Sequence, residues 1–261
     1  MPRRAPRLKT RGRAHSSAIV ACDPIDIAVM SASALVTLGI PLLSLGVIAL
    51  FLWAVWRAAR DRFVLVLLAA VAWLGLWAGL SLSGVLARFD ARTPPLAFMF
   101  VSVLGAGVAL GASPLTAAVI RAVPPWALIA LQGFRLPLEL VMHRAAVEGV
   151  MPQVMSYSGR NFDIVTGASA LLLALALRTG VAGSGLVFAW NIVGFSLLAN
   201  VVGIALLSSP MLQAYGPDQV NRWVAYFPFV YLPAVLVLFA LAGHIAVFRQ
   251  LLLGLRPPSS R

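Results

Sequence analysis

The sequence predicts an all-α protein, a polytopic helical membrane bundle with seven transmembrane helices. Three observations point there. Sixty-one percent of the 261 residues are hydrophobic and only 11% are charged. A soluble domain averages about 45–50% apolar and about 25% charged residues, so this chain cannot cover a water-facing surface. The apolar residues fall into long runs rather than alternating ten-residue segments, which favours helices over a barrel. Cys22 is the only cysteine, so neither a disulfide framework nor a cysteine metal cluster is available. The same composition excludes a disordered chain.

Residues 1–25 read as a basic, disordered tail carrying Arg3, Arg4, Arg7, Lys9, Arg11 and Arg13. The apolar stretch that follows is too long for a twin-arginine signal. A transmembrane domain over 26–250 then holds seven apolar segments: Ile27–Trp56, Phe63–Leu86, Leu96–Ala112, Pro125–His143, Phe162–Leu177, Gly185–Leu207 and Phe227–Phe248. Residues 251–261 form a short tail. A span needs about 20 residues, so the third and fifth are short and the first is long enough to tilt. The fourth carries Gln132, Arg135, Glu139 and a central Pro137. If it is re-entrant, the count becomes six spans plus one re-entrant segment.

The net charge of +12 comes from 20 basic against 8 acidic residues. Most arginines sit in short loops beside apolar runs, where they set membrane orientation rather than bind nucleic acid. Seven spans put Arg57, Arg60 and Arg62 on the same side as Arg249, Arg256 and Arg261, and that side is expected to be cytoplasmic. The expected location is the bacterial cytoplasmic (inner) membrane, with lipid and other membrane subunits as partners and no nucleic acid. Gly75, Gly79 and Ser83, and likewise Gly107 and Gly111, recur every four residues, a spacing that lets helices approach closely in lipid.

The residues that do not belong in lipid are the candidate site. Gln132, Arg135, Glu139 and His143 are spaced three, four and four apart and share one helical face. Arg135 with Glu139, or Glu139 with His143, can pair one turn apart. The stripe is either the wall of a polar cavity, with Glu139 and His143 as candidate acid and base, or a self-neutralising seam that locks helices together. Asn161 and Asp163 open the fifth segment, where either can cap a helix. They lie at the depth of Glu139 and His143 and complete a ligand-binding set of Gln132, Arg135, Glu139, His143, Asn161, Asp163 and Asn200. Asn191 and His244 form a second, sparser layer, with His244 about 25 Å from its loop along the membrane normal. Two histidines at different depths cannot share a haem. No metal or other cofactor is expected. The sequence has no phosphate-binding loop, no GxSxG elbow, no HExxH pair and no lysine within a span.

The Gln132-Gly133-Phe134-Arg135 run with Glu139, then Gly159-Arg160-Asn161-Phe162-Asp163-Ile164, Trp190-Asn191, Asn200, Phe227-Pro228, Leu232-Pro233 and His244, resembles a group of small uncharacterised bacterial multi-pass membrane proteins. The resemblance covers roughly residues 96–250 and implies seven spans and these site candidates. It implies no reaction, because the group has no known activity. Three functions stay open: a polar pocket near one leaflet that binds or acts on a lipid or other anionic amphiphile, a structural or assembly subunit without a site, and a small proton-coupled transporter.

Overall fold

The computed structural model describes residues 31–254. The basic tail, the first residues of the first expected span and most of the C-terminal tail lie outside the described residues.

The described chain is helical throughout, with no strand. Helix α1 (Ala34–Ala58) is capped by Ser33, whose side chain accepts the Val36 N–H. Helices α2 (Phe63–Leu82) and α3 (Pro95–Ala112) follow, α3 starting on a proline whose missing N–H costs nothing at that position. Short α4 (Pro114–Ala122) stops at Val123, because a residue before proline is pushed out of the helical region. Pro124 and Pro125 then redirect the chain into α5 (Pro125–Leu131), a 3-10 turn at Gln132–Phe134, and α6 (Arg135–Val147). After a loop come α7 (Ile164–Arg178) and α8 (Ser184–Leu207). A second loop leads into a π-helical turn, Leu232–Val237, that continues as α9 (Leu238–Leu252). Pro233 lies in that turn and cannot supply a helical N–H. The indole of Trp73 uses the local carbonyl of Ala234 at 2.8 Å.

Five helices are long and apolar enough to cross a membrane: α1, α2 with its leading turn, α3, α8 and the π–α9 segment. The α4 and α5–α6 pair passes only as a unit bent by 116°, a broken span or a re-entrant loop. Helix α7 has 15 residues, about 22 Å, and falls short of a roughly 30 Å core. Length and composition therefore support five or six spans, where the sequence reading expects seven. The two expected spans that fall short are the charged fourth and the short fifth.

The helices run alternately between two faces. One face carries a cap built from the loops before α7 and after α8: the Val154 N–H donates to the Gln219 side chain at 2.9 Å, and Asn200 donates to the Arg160 carbonyl at 2.9 Å. The N-terminus of α1 reaches the same face, where the Ser33 N–H donates to Glu148 at 2.9 Å. At the other face Arg249 donates to the carbonyls of Gly111 and Ser113, and Gln250 to that of Ile120. Among the described residues this second face holds Arg57, Arg60, Arg62, Arg121, Arg178 and Arg249 against Asp61 alone. The cap face sets Arg88, Arg92, Arg144, Arg160 and Arg222 against Asp90, Glu148 and Asp218.

Small residues act differently on the two helices where they recur. A Cβ on Gly111 would sit 2.8 Å from Ile245, so α3 packs directly on α9. A Cβ on Gly75 or Gly79 would meet nothing within 4 Å, so the expected contact face of α2 points out of the bundle.

The backbone N–H of Ser33 holds the Glu148 carboxyl below its ordinary range, with Arg144 adding a smaller pull. A carboxylate whose folded pKa is depressed contributes stability above its unfolded pKa, and loses it as pH falls through the folded value. Glu148→Gln should therefore be less stable than the parent protein near neutral pH. The difference should vanish as pH is lowered below the usual carboxylate range, as read by thermal unfolding in detergent from pH 7 to 3.

Candidate functional site

Eight polar side chains meet in the interior, drawn from α5 through α9. Gln132, Asn161, Asn191 and His244 are fully buried, Arg135, Glu139 and Thr166 are 1% exposed, and Asp163 is 4% exposed. Burial on that scale requires pairing, because an unpaired buried charge costs several kcal/mol.

The pairing differs from the one expected along α6. Arg135 does not pair with Glu139 one turn on; its Nη1 donates to Asp163 on α7 at 2.9 Å. Glu139 does not meet His143; both its oxygens accept from Asn161 Nδ2 at 2.9 Å. Asn161 also donates to the Met155 carbonyl at 3.0 Å and accepts the Asp163 N–H, which fixes the loop entering α7. Asp163 stands at the N-cap position of α7, yet its side chain makes no capping hydrogen bond.

Gly167 explains the exchange of partners. A Cβ there would overlap the backbone N–H of Leu136 and lie 2.9 Å from the Arg135 carbonyl carbon. The backbones of α6 and α7 thus touch, and Asp163, one turn before Gly167, is brought opposite Arg135. The 3-10 turn at Gln132–Phe134 also breaks the uniform 100° step, so the four-residue stripe is not one face.

The second layer is a hydrogen-bonded contact of its own, as expected, but it lies beside the first and at a similar depth. His244 Nδ1 lies 2.8 Å from Asn191 Oδ1, and Asn191 donates to the His244 carbonyl at 3.1 Å. A carboxamide oxygen only accepts, so Nδ1 carries the proton and Nε2 is the free acceptor. Arg135 is twelve residues below the end of α6, and His244 twelve below the start of the π turn. At about 1.5 Å per residue both lie about 18 Å down. The expected 25 Å was counted from Phe227, but residues 227–231 precede the helix. Gln132 packs its amide against Gly243, beside His244, and Arg135 is within electrostatic range of the imidazole. Among the described residues, Arg135 Nε and Nη2, Gln132 Oε1 and His244 Nε2 have no hydrogen-bond partner.

Two of the expected ligand-binding residues lie outside this seam. His143 is at the cap, 2.9 Å from Ser156 Oγ and stacked on Tyr157 with ring centroids 4.4 Å apart. Asn200 is exposed and holds the Arg160 carbonyl. Thr166, which the sequence reading left out of the ligand-binding set, lies in the seam beside His244: a Cβ on Gly194 would sit 3.0 Å from its methyl and 2.7 Å from the imidazole. The signal for it was present, since Asp163, Thr166 and Gly167 share one helical face. Among the described residues no three His, Cys, Asp or Glu side chains converge as a metal site.

Below the seam the packing is apolar. Ile129, Ala170, Leu173, Ala174, Val187 and Val247 form a cluster toward the arginine-rich face. A cavity of about 280 Å³ opens between α1, α4, α5 and α9. Comparison of the chain with protein-family models, with curated proteins and with solved structures finds no match.

The contact at Gly167 gives a sharp test. Gly167→Ala should cost about 1–3 kcal/mol of stability, as overpacking does, because its neighbour is backbone. Gly75→Ala, which meets open space, should stay within about 0.5 kcal/mol of the parent protein. Thermal or denaturant unfolding of both variants checks the contrast.

Proposed function

We propose that this integral membrane protein is a structural or assembly subunit of the bacterial cytoplasmic membrane. In this reading the chain crosses seven times, with α5–α6 as one crossing and α7 as a short one, and the arginine-rich face is cytoplasmic. The observation that carries the reading is the burial and mutual pairing of the seam: Arg135 bonds Asp163 and Glu139 bonds Asn161, all of them buried. A site for a lipid head group would keep a charged group facing an opening. A proton-coupled transporter would need a polar route to both faces, and below Asn191 and His244 the packing turns apolar.

Helix α2 supports an assembly role. Trp77 and Ser81 are its only buried residues, and Gly75, Gly79 and Ser83 line a face with open space beside Gly75 and Gly79. Small residues every four positions permit close helix–helix packing in lipid, and among the described residues no other helix packs on the two glycines. The reading expects the protein to migrate as a larger complex on native gels of mildly solubilised membranes. Gly75→Leu with Gly79→Leu should release it as a folded monomer with unchanged melting behaviour. Migration of the parent protein as a monomer, with no partner recovered by cross-linking, would contradict the assembly role.

A further inference from the structure

The cavity between α1, α4, α5 and α9 lies at the elbow between α4 and α5. Val123, Pro124 and Pro125 turn the chain away from α1, and small side chains leave the notch unfilled: Ala54, Ala127, Ala130, Ala242, Gly243 and Ala246. Its volume of about 280 Å³ falls just below the roughly 300–1,000 Å³ of small-molecule sites. That suits one chain of a lipid better than a whole molecule. Thr116 supplies the one hydroxyl in the lining, and it donates to the Leu110 carbonyl at 2.6 Å. The walls therefore offer hydrocarbon to hydrocarbon.

The rim has the opposite character. Arg57 follows Ala54 by about one turn of α1, and Arg178, at the end of α7, reaches over the lining residue Trp126. Both are exposed, and neither has a carboxylate partner among the described residues. The Arg178 guanidinium lies 5.4 Å from the centre of the Trp126 ring. Asp61, the one acid at this face among the described residues, faces Arg62 at 3.7 Å. An apolar slot beside unpaired guanidinium groups complements an amphiphile with a hydrocarbon chain and a phosphate.

We infer that this cleft is a binding site for an anionic phospholipid, one acyl chain lying in the notch and the phosphate head group on Arg57 and Arg178. The site opens toward the arginine-rich face, and its inner end, at Leu131 and Gly243, backs onto Gln132 of the polar seam. It does not depend on the assembly role.

The full chain, purified in mild detergent, is mixed with equimolar phosphatidylglycerol and phosphatidylethanolamine of identical chains, and retained lipid is read by native mass spectrometry. Phosphatidylglycerol should be retained over phosphatidylethanolamine by about fivefold or more, the worth of roughly one arginine at an anionic surface. Arg57→Gln with Arg178→Gln should bring that ratio close to one. Ala127→Trp should fill the notch and remove the bound lipid while the arginines remain. Ala130→Leu is the milder filler should the tryptophan variant fail to give a monodisperse protein. Equal retention of the two lipids by the parent protein would reduce the cleft to a place for unselected boundary lipid and overturn the inference. Selective retention that survives both filling variants would place the lipid elsewhere and overturn it equally.

Discussion

The Arg135–Asp163 ion pair is the constraint around which the rest of the bundle is arranged. A guanidinium and a carboxylate, 1% and 6% exposed at the side chain, must be bonded to one another or be very costly. Their requirement fixes the relation of α6 to α7, and Gly167 makes that relation sterically possible. Glu139 and Asn161 repeat the arrangement one turn nearer the cap. The short α7 is held by these polar contacts at its start and by apolar contacts at its end, where Ala170, Leu173 and Ala174 meet Ile129 and Val247. A helix too short to fill a bilayer by itself gains its place from its neighbours.

The two ends of the bundle divide the work. At the cap, loops from separate parts of the chain bond to one another through Gln219, Asn200 and Glu148, and the arginines there are partly balanced by acids. At the opposite end charge is almost all positive, the α4–α5 elbow opens a notch, Gln250 ties α9 to the carbonyls at that elbow, and Arg249 ties it to those of the α3–α4 junction. The elbow is set by two prolines, so the cleft is a built feature of the backbone.

Much of the fold was legible because lipid imposes a strong rule: apolar runs become helices. Each of the seven apolar segments contains a helix among the described residues, though α7 and the bent α4–α5–α6 unit do not each meet the length and polarity of a span. The convergence of Arg135, Glu139, Asn161 and Asp163 was also legible, since ionisable residues in spans have to find one another. Their partners were not. Spacing along α6 suggests Arg135 with Glu139, but partner choice depends on how closely α7 approaches, and that is decided by one glycine. The link from Arg135 to His244 was hidden because depth was counted from Phe227, while the helix begins at Leu232. The outward face of Gly75 and Gly79 was hidden for a related reason, since spacing shows that a helix can be approached closely but not which helix does so.

The central claim is that the seam holds the bundle together and does so as closed pairs. The most direct measurement is a double-mutant cycle on Arg135 and Asp163, with unfolding free energies of Arg135→Met, Asp163→Leu and the two combined. Each single change strands a buried charge and should cost about 3–5 kcal/mol, while the combined change removes both charges and should recover most of that loss. If the two single losses simply add in the combined variant, Arg135 and Asp163 are not a closed pair and the account fails.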